Sequence, residues 1–242
     1  QQQLLVNVNI NDTCNAFYDG KSINFFRDSG QCGNTGQLAD VVYHEFGHGF
    51  HHHAIIANAG AFDSALSEGV SDYYSCSITG DPAMGRGFFH GDKPLRHIDP
   101  ANGEHVWPND ISGDPHQTGL IIGGALWDLR KLLIAKHGEP AGIALTDQLF
   151  YKALRTASDI PTMYPEILAA DDDNGDLTDG TPNVCEIIEA FADHGLRSIN
   201  ATSTSLGVET PEQNGYHVAI KVEGLYAQCA DDGVKDISLR WK

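Results

Sequence analysis

His44-Glu45-Phe46-Gly47-His48, followed twenty positions after its second histidine by the glutamate of Leu66-Ser67-Glu68-Gly69-Val70-Ser71-Asp72, decides how the rest of this chain is read. Leu38, Val41, Val42, Phe46 and Phe50 recur at a helical period, which predicts a mostly buried helix over residues 37–57. On such a helix His44 and His48, at i and i+4, lie about 40° apart around the axis, so both imidazoles can face one ion. Catalytic zinc takes three protein ligands and leaves one position to water, and two histidines with a glutamate is one of its known sets. Glu68 is therefore the natural third ligand.

Glu45 directly follows the first histidine, so it points beside the metal, within reach of a water held there. That is where a general base belongs. Asp72 is at i+4 from Glu68, on the same face of a helix expected over residues 64–79 and ended by Gly80-Asp81-Pro82. From there it can accept the free ring N–H of a ligand histidine and fix its tautomer. Gly47 and Gly49 weaken the first helix, which makes sense if another backbone passes close to it. His51, His52 and His53 fall about 100° apart on successive helix positions and cannot all face one ion. They read as a partly exposed helix end, with cations near the C-terminal dipole and no catalytic role.

Leu4 to Ile10 and Ala16 to Phe26 alternate as two strand-like runs. Residues 80–115 are rich in Gly, Pro, Asp and Asn and read as an irregular segment that walls a cleft. Helices are expected over 117–137, stopped by Gly138, from Pro140, and from Thr181-Pro182 to Gly195. After Asn200 the texture turns β-like, around residues 216–222 and 237–241. Residues 1–198 then form one domain, with a β part over 1–36 and a mainly helical remainder over 37–198. Residues 199–242 are a β extension or the start of a further domain.

The 242 residues carry 33 acidic against 15 basic side chains, a net charge of −18 that disfavours nucleic acid and anionic membranes as partners. No apolar run reaches the length of a membrane span, and Gln1-Gln2-Gln3 does not open a signal peptide. A leader or pro-segment is expected to have been removed before maturation. The five cysteines avoid Cys-x-x-Cys spacing, so disulfides are expected: Cys14 with Cys32, Cys185 with Cys229, and Cys76 left as a small buried hydrophobe. Asp171 to Gly180 has the alternating oxygens of a calcium loop, but Asp176 stands where an EF-hand requires glycine and no glutamate closes the loop. A calcium ion and a solvated acidic turn both remain open there.

The order of Asn15-Ala16-Phe17-Tyr18-Asp19-Gly20, Asp40 to His48, Glu68 to Asp72 and His116-Gln117-Thr118-Gly119-Leu120 resembles the thermolysin and fungalysin metalloendopeptidases. The likeness covers roughly residues 12–197, and Ala190 to Leu196 is similar to the end of that catalytic domain. The resemblance implies an α+β, zincin-like catalytic domain with an N-terminal β edge strand or hairpin and a mainly helical remainder, followed by a C-terminal β extension. It implies zinc held by His44, His48 and Glu68, Glu45 as base and proton shuttle, and Asp72 behind a ligand histidine. Asn15 and the backbone of Ala16 would line an edge strand that pairs with an extended peptide or protein substrate. His116 would donate to the oxyanion, with Asp110 or Asp114 orienting it, and Arg96 would hold a substrate carbonyl.

Val41 and Leu95, beside the motif and beside Arg96, are expected to form an apolar pocket for the residue after the scissile bond. Residues 49–67 contain no tyrosine, so the second oxyanion donor of thermolysin-type relatives is missing, which draws the resemblance toward fungalysin-like members. The combined expectation is a secreted zinc endopeptidase. An exopeptidase or a noncatalytic metal-bearing binding module are the alternatives. The first lacks an obvious acidic anchor for a substrate amine, and the second has no use for Glu45.

Overall fold

A computed structural model describes residues 3–197, the strands 204–208 and 218–222, and Cys229. Three strands come first: β1 (Leu5–Ile10), β2 (Ala16–Tyr18) and β3 (Ser22–Phe26). They form a sheet in the order β1-β3-β2, with β1 parallel and β2 antiparallel to β3. The run expected as one strand over residues 16–26 is thus a hairpin, turned at Asp19-Gly20-Lys21. Asp19 Oδ1 accepts the backbone N–H groups of Lys21 and Ser22, and Gly20 takes a φ of 91°. β3 is buried along its whole length. Its polar Asn24 is satisfied there, donating to the Phe17 carbonyl at 3.1 Å and accepting from Asn7 at 2.8 Å.

The helices follow as α1 (Ala39–Ala54), α2 (Ser64–Thr79), α3 (Pro115–His137), α4 (Glu139–Leu154), α5 (Met163–Asp171) and α6 (Val184–Asp193). The first helix is shorter than expected, and α5 was not foreseen. Between α2 and α3 the segment expected to be irregular pairs β4 (Ala83–Met84) with β5 (Arg96–His97). Each α2 boundary has a local cause: the Asp63 side chain accepts the Leu66 N–H, and Gly80 closes the helix in the left-handed conformation. In the C-terminal tail β6 (Thr204–Val208) pairs antiparallel with β7 (Val218–Val222). The expected strand over 237–241 lies outside the described residues.

α3 is apolar nearly all round, and Ile121, Ile122, Leu126, Leu129 and Leu133 are fully buried. Each such side chain contributes about 1.5–3 kcal/mol relative to exposure. α2 lies between α1 and α3, and glycines set how closely these helices approach. A Cβ at Gly69 would stand 2.2 Å from the Gly119 carbonyl oxygen, and one at Gly119 would stand 2.6 Å from the Gly69 nitrogen. At Gly47 a Cβ would meet the Ser71 backbone at 2.9 Å. Those contacts bring α1, the Glu68 turn of α2 and the start of α3 to one place. Disulfides join Cys14 to Cys32 and Cys185 to Cys229, and Cys76 is buried and unpaired.

Candidate metal centre and cleft

α1, α2 and α3 converge on four side chains. His44 Nε2 and His48 Nε2 stand 3.1 Å apart, and Glu68 Oε2 lies 3.1 Å from the first and 3.5 Å from the second. With bonds of about 2.0–2.1 Å, the donors of a tetrahedral zinc stand roughly 3.3 Å from one another, so the three atoms fit the corners of such a site. His116 Nε2 comes within 3.3 Å of the same Glu68 oxygen. Among the described residues, Glu68 Oε2 is nevertheless buried with no hydrogen-bond partner. A carboxylate oxygen left unbonded among three imidazoles suits a cation. The donor atoms of His44, His48 and Glu68 lie within 4.8 Å of one another, a set that does not take in His116.

The electrostatics agree with that reading. Burial alone lowers the basicity of His44, but Asp72 and Glu68 outweigh it and lift the imidazole to about 10. Burial works against the Glu68 and Asp72 carboxylates too. The imidazoles around Glu68, and Arg96 and His44 around Asp72, nonetheless hold both below the usual carboxylate range. The pocket favours positive charge. Glu45, buried on α1 with one carboxylate oxygen unbonded, is pushed up by burial, opposed by His44 and His48.

Behind the cluster each ring has a partner. His44 Nδ1 approaches Asp72 Oδ1 to 2.7 Å. His48 Nδ1 lies 2.9 Å from Ser67 Oγ and 3.2 Å from Ser71 Oγ, contacts the sequence reading missed. The signal was present, because Ser67 and Ser71 flank Glu68 at positions that face α1. His116 Nδ1 stands 2.9 Å from Asp114 Oδ1, while the Asp110 carboxylate accepts the Val106 N–H. Of the two aspartates left open for orienting His116, Asp114 makes the contact. It also caps α3 by accepting the His116 backbone N–H, and the contact with the His116 ring, followed by this bond, lowers its own pKa.

The cluster opens into a cleft of about 390 Å³ lined by Asn15, Ala16, Phe17, Tyr18, Gly20, His44, Glu45, His48, His52, Phe62, Glu68 and His116. Asn15 and Ala16 therefore border the candidate metal ligands, and β2 is an edge strand of its sheet. Val41 is buried in the core and Leu95 packs over Gly85, while Ala16, Phe17 and Phe62 supply apolar surface to this cleft. Arg96 Nε and Nη2 donate to the two oxygens of Asp72, at 2.6 and 2.8 Å. His51 is fully buried against Phe62, and burial lowers its pKa to about 4, so it is a neutral ring rather than a cation at an exposed end. His52 and His53 are exposed.

The calcium expectation gains no ligand set. Asp171 accepts from Thr181 Oγ1, Asn183 N and Asn183 Nδ2, and Asn174 and Thr178 donate to Asp179 and Asp176. Among the described residues, neither group of side chains close enough to share a metal lies in residues 171–180.

No protein-family model matches the chain, and no curated protein sequence does. Solved structures do match it. One is the precursor of protealysin, a metalloproteinase from Serratia proteamaculans, at a TM-score of 0.54 and 18% identity over 75% of this chain. The match spans 65% of that structure's length. The fold is accordingly α+β and zincin-like, the architecture of a metalloproteinase. Among the described residues no helix is long and apolar enough to cross a membrane.

Proposed function

We propose that this chain is a secreted zinc-dependent endopeptidase that hydrolyses internal peptide bonds of extended substrates. The observation that carries the reading is the unbonded, buried Glu68 oxygen facing two imidazole nitrogens from one turn of α1, with Glu45 beside it in a cleft bordered by an edge strand. His44, His48 and Glu68 would hold the zinc, which supplies Lewis acidity and a water of lowered pKa. Glu45 accepts the proton of the attacking water and passes it to the departing amine. His116, its ring oriented by Asp114 at Nδ1, would donate from Nε2 to the oxyanion that forms on the substrate. Asp72 and the two serines orient the ligand rings, and Arg96 orients Asp72.

Asn15 and the β2 backbone would receive the substrate as an added strand. Preference for apolar side chains near the scissile bond then rests on Phe17 and Phe62. The lack of a tyrosine over residues 49–67 supports placing the chain nearer fungalysin-type members. The acidic surface and the two disulfides fit an extracellular enzyme matured from a precursor.

Glu45→Gln is the decisive variant. It should retain the zinc held by His44, His48 and Glu68 and lose hydrolysis of an internally quenched, N-terminally blocked peptide by more than 100-fold, the lower end of what a positioned base contributes being about 10². Unchanged turnover, or cleavage only of peptides with a free amine, would overturn the reading.

A further inference from the structure

Glu104, Asp128 and His194 take no part in the reaction proposed above, yet they converge where the loop before α3, the middle of α3 and the end of α6 meet. His194 is fully buried. Its Nδ1 lies 2.9 Å from the His105 carbonyl oxygen, which requires the proton on Nδ1 and turns Nε2 toward the carboxylates. Nε2 stands 3.2 Å from Asp128 Oδ2 and 3.7 Å from Glu104 Oε2, and the three donor atoms lie within 4.8 Å of one another.

The backbone around the ring is built to hold it. The Trp107 N–H donates to the His194 carbonyl at 2.9 Å. Gly124 of α3 leaves a notch for the imidazole, because a Cβ there would stand 2.4 Å from His194 Cε1. Charge is left over. Lys131 engages Asp128 Oδ1 at 2.7 Å and Asp99 at 2.9 Å, so one ammonium serves a group of three carboxylates and leaves Asp128 Oδ2 and Glu104 facing the imidazole.

We propose that Glu104, Asp128 and His194 form a second metal site that takes a divalent cation of the zinc type. Asp128 lies twelve residues beyond His116, about 18 Å along α3, so the site is separate from the His44, His48 and Glu68 cluster. One imidazole nitrogen with two carboxylates suits zinc, whereas calcium selects oxygen ligands alone. The carbonyl on the far ring nitrogen is the outer contact that orients a metal-bound histidine. Three protein donors leave the remaining positions to water. The ion's effect is structural: it fastens the loop that leads to Asp114 and His116 onto α3 and the end of α6.

The test uses the full chain, stripped with a chelator and titrated with zinc and, separately, with calcium, followed by calorimetry and elemental analysis. Wild type should bind two equivalents of zinc, His48→Ala one, Glu104→Gln one, and the double variant none. The melting temperature of His48→Ala should rise with zinc, and that rise should vanish in His48→Ala/Glu104→Gln. Near-ultraviolet circular dichroism verifies folding, and the partly exposed Glu104 is chosen because its isosteric replacement disturbs packing least. The proposal is overturned if His48→Ala binds no zinc and its melting temperature does not respond, which would leave the three side chains as a metal-free polar cluster. Calcium uptake at this site in place of zinc overturns it as well. Because each cluster is counted in a variant of the other, this proposal and the peptidase reading fail separately.

Discussion

Arg96 closes two of its guanidinium nitrogens on the carboxylate of Asp72, at 2.6 and 2.8 Å, directly behind the imidazole of His44. A bidentate pair at this depth fixes the carboxylate's orientation, and through it that of a candidate metal ligand. Arg96→Lys cannot reproduce the fork. Its zinc affinity, measured by competition with a chelator, should fall by roughly 10–100-fold, as is typical of losing an outer contact to a metal ligand. Arg96→Met should be worse, costing about 3–5 kcal/mol in chemical denaturation because it strands a buried carboxylate. Unchanged zinc affinity in Arg96→Lys would show that Asp72 holds His44 unaided.

Asp114→Asn separates orientation of His116 from capping of α3. Asparagine caps a helix about as well as aspartate, so stability should change by less than about 0.5 kcal/mol. His116 loses the carboxylate that orients its ring, however, and kcat should fall by about 10-fold or more with the zinc content intact. A drop confined to KM would argue that His116 acts on ground-state binding.

His51 predicts a specific acid sensitivity. Burial holds its folded-state pKa near 4, below the ordinary value of 6.5, so between those two pH values the unfolded chain binds the extra proton. Stability from this group is present above pH 6.5 and is lost as pH falls toward 4, by up to about 3 kcal/mol. Neither ring nitrogen has a hydrogen-bond partner, and Phe62 is stacked on the ring at 5.6 Å. His51→Phe should therefore flatten the acid limb of a denaturation series measured against pH. A variant with the same slope as wild type would place the titrating group elsewhere.

Gly69→Ala should be costly because the nearest obstacle is backbone. The added methyl would meet the Gly119 carbonyl oxygen at 2.2 Å and the Ile122 side chain at 2.4 Å. Separation of α2 from α3 should destabilise the fold by about 1–3 kcal/mol and draw Glu68 away from His116. The reading is checked by thermal unfolding together with the zinc affinity, which should decline in step.

What could be read in the chain was whatever a single helix encodes. The pair His44 and His48, the Asp63 and Gly80 boundaries of α2, and the Pro and Gly punctuation around α3 and α4 are local signals. The hairpin over residues 16–26 was locally encoded too, but its short Asp19-Gly20 turn was absorbed into one alternating run. The two-residue ladder of β4 and β5 carries no periodic pattern, and α5 is too short for one to stand out. The contacts that sequence reading missed join residues far apart in the chain: Arg96 to Asp72, and His51 to its cover at Phe62. A lone arginine or histidine carries no sign of the partner that tertiary packing will bring to it.

The three-residue span of β2 sets a demand on anything that enters the cleft. So short a ribbon offers only a few backbone hydrogen bonds, each contributing about 0.5–1.5 kcal/mol net. That is too little to pull a segment out of a folded partner, whose own stability is about 5–15 kcal/mol. On the proposed peptidase reading, a substrate must arrive already loosened, so among intact proteins the chain would select by local frailty, nicking termini and slack loops before any well-packed body.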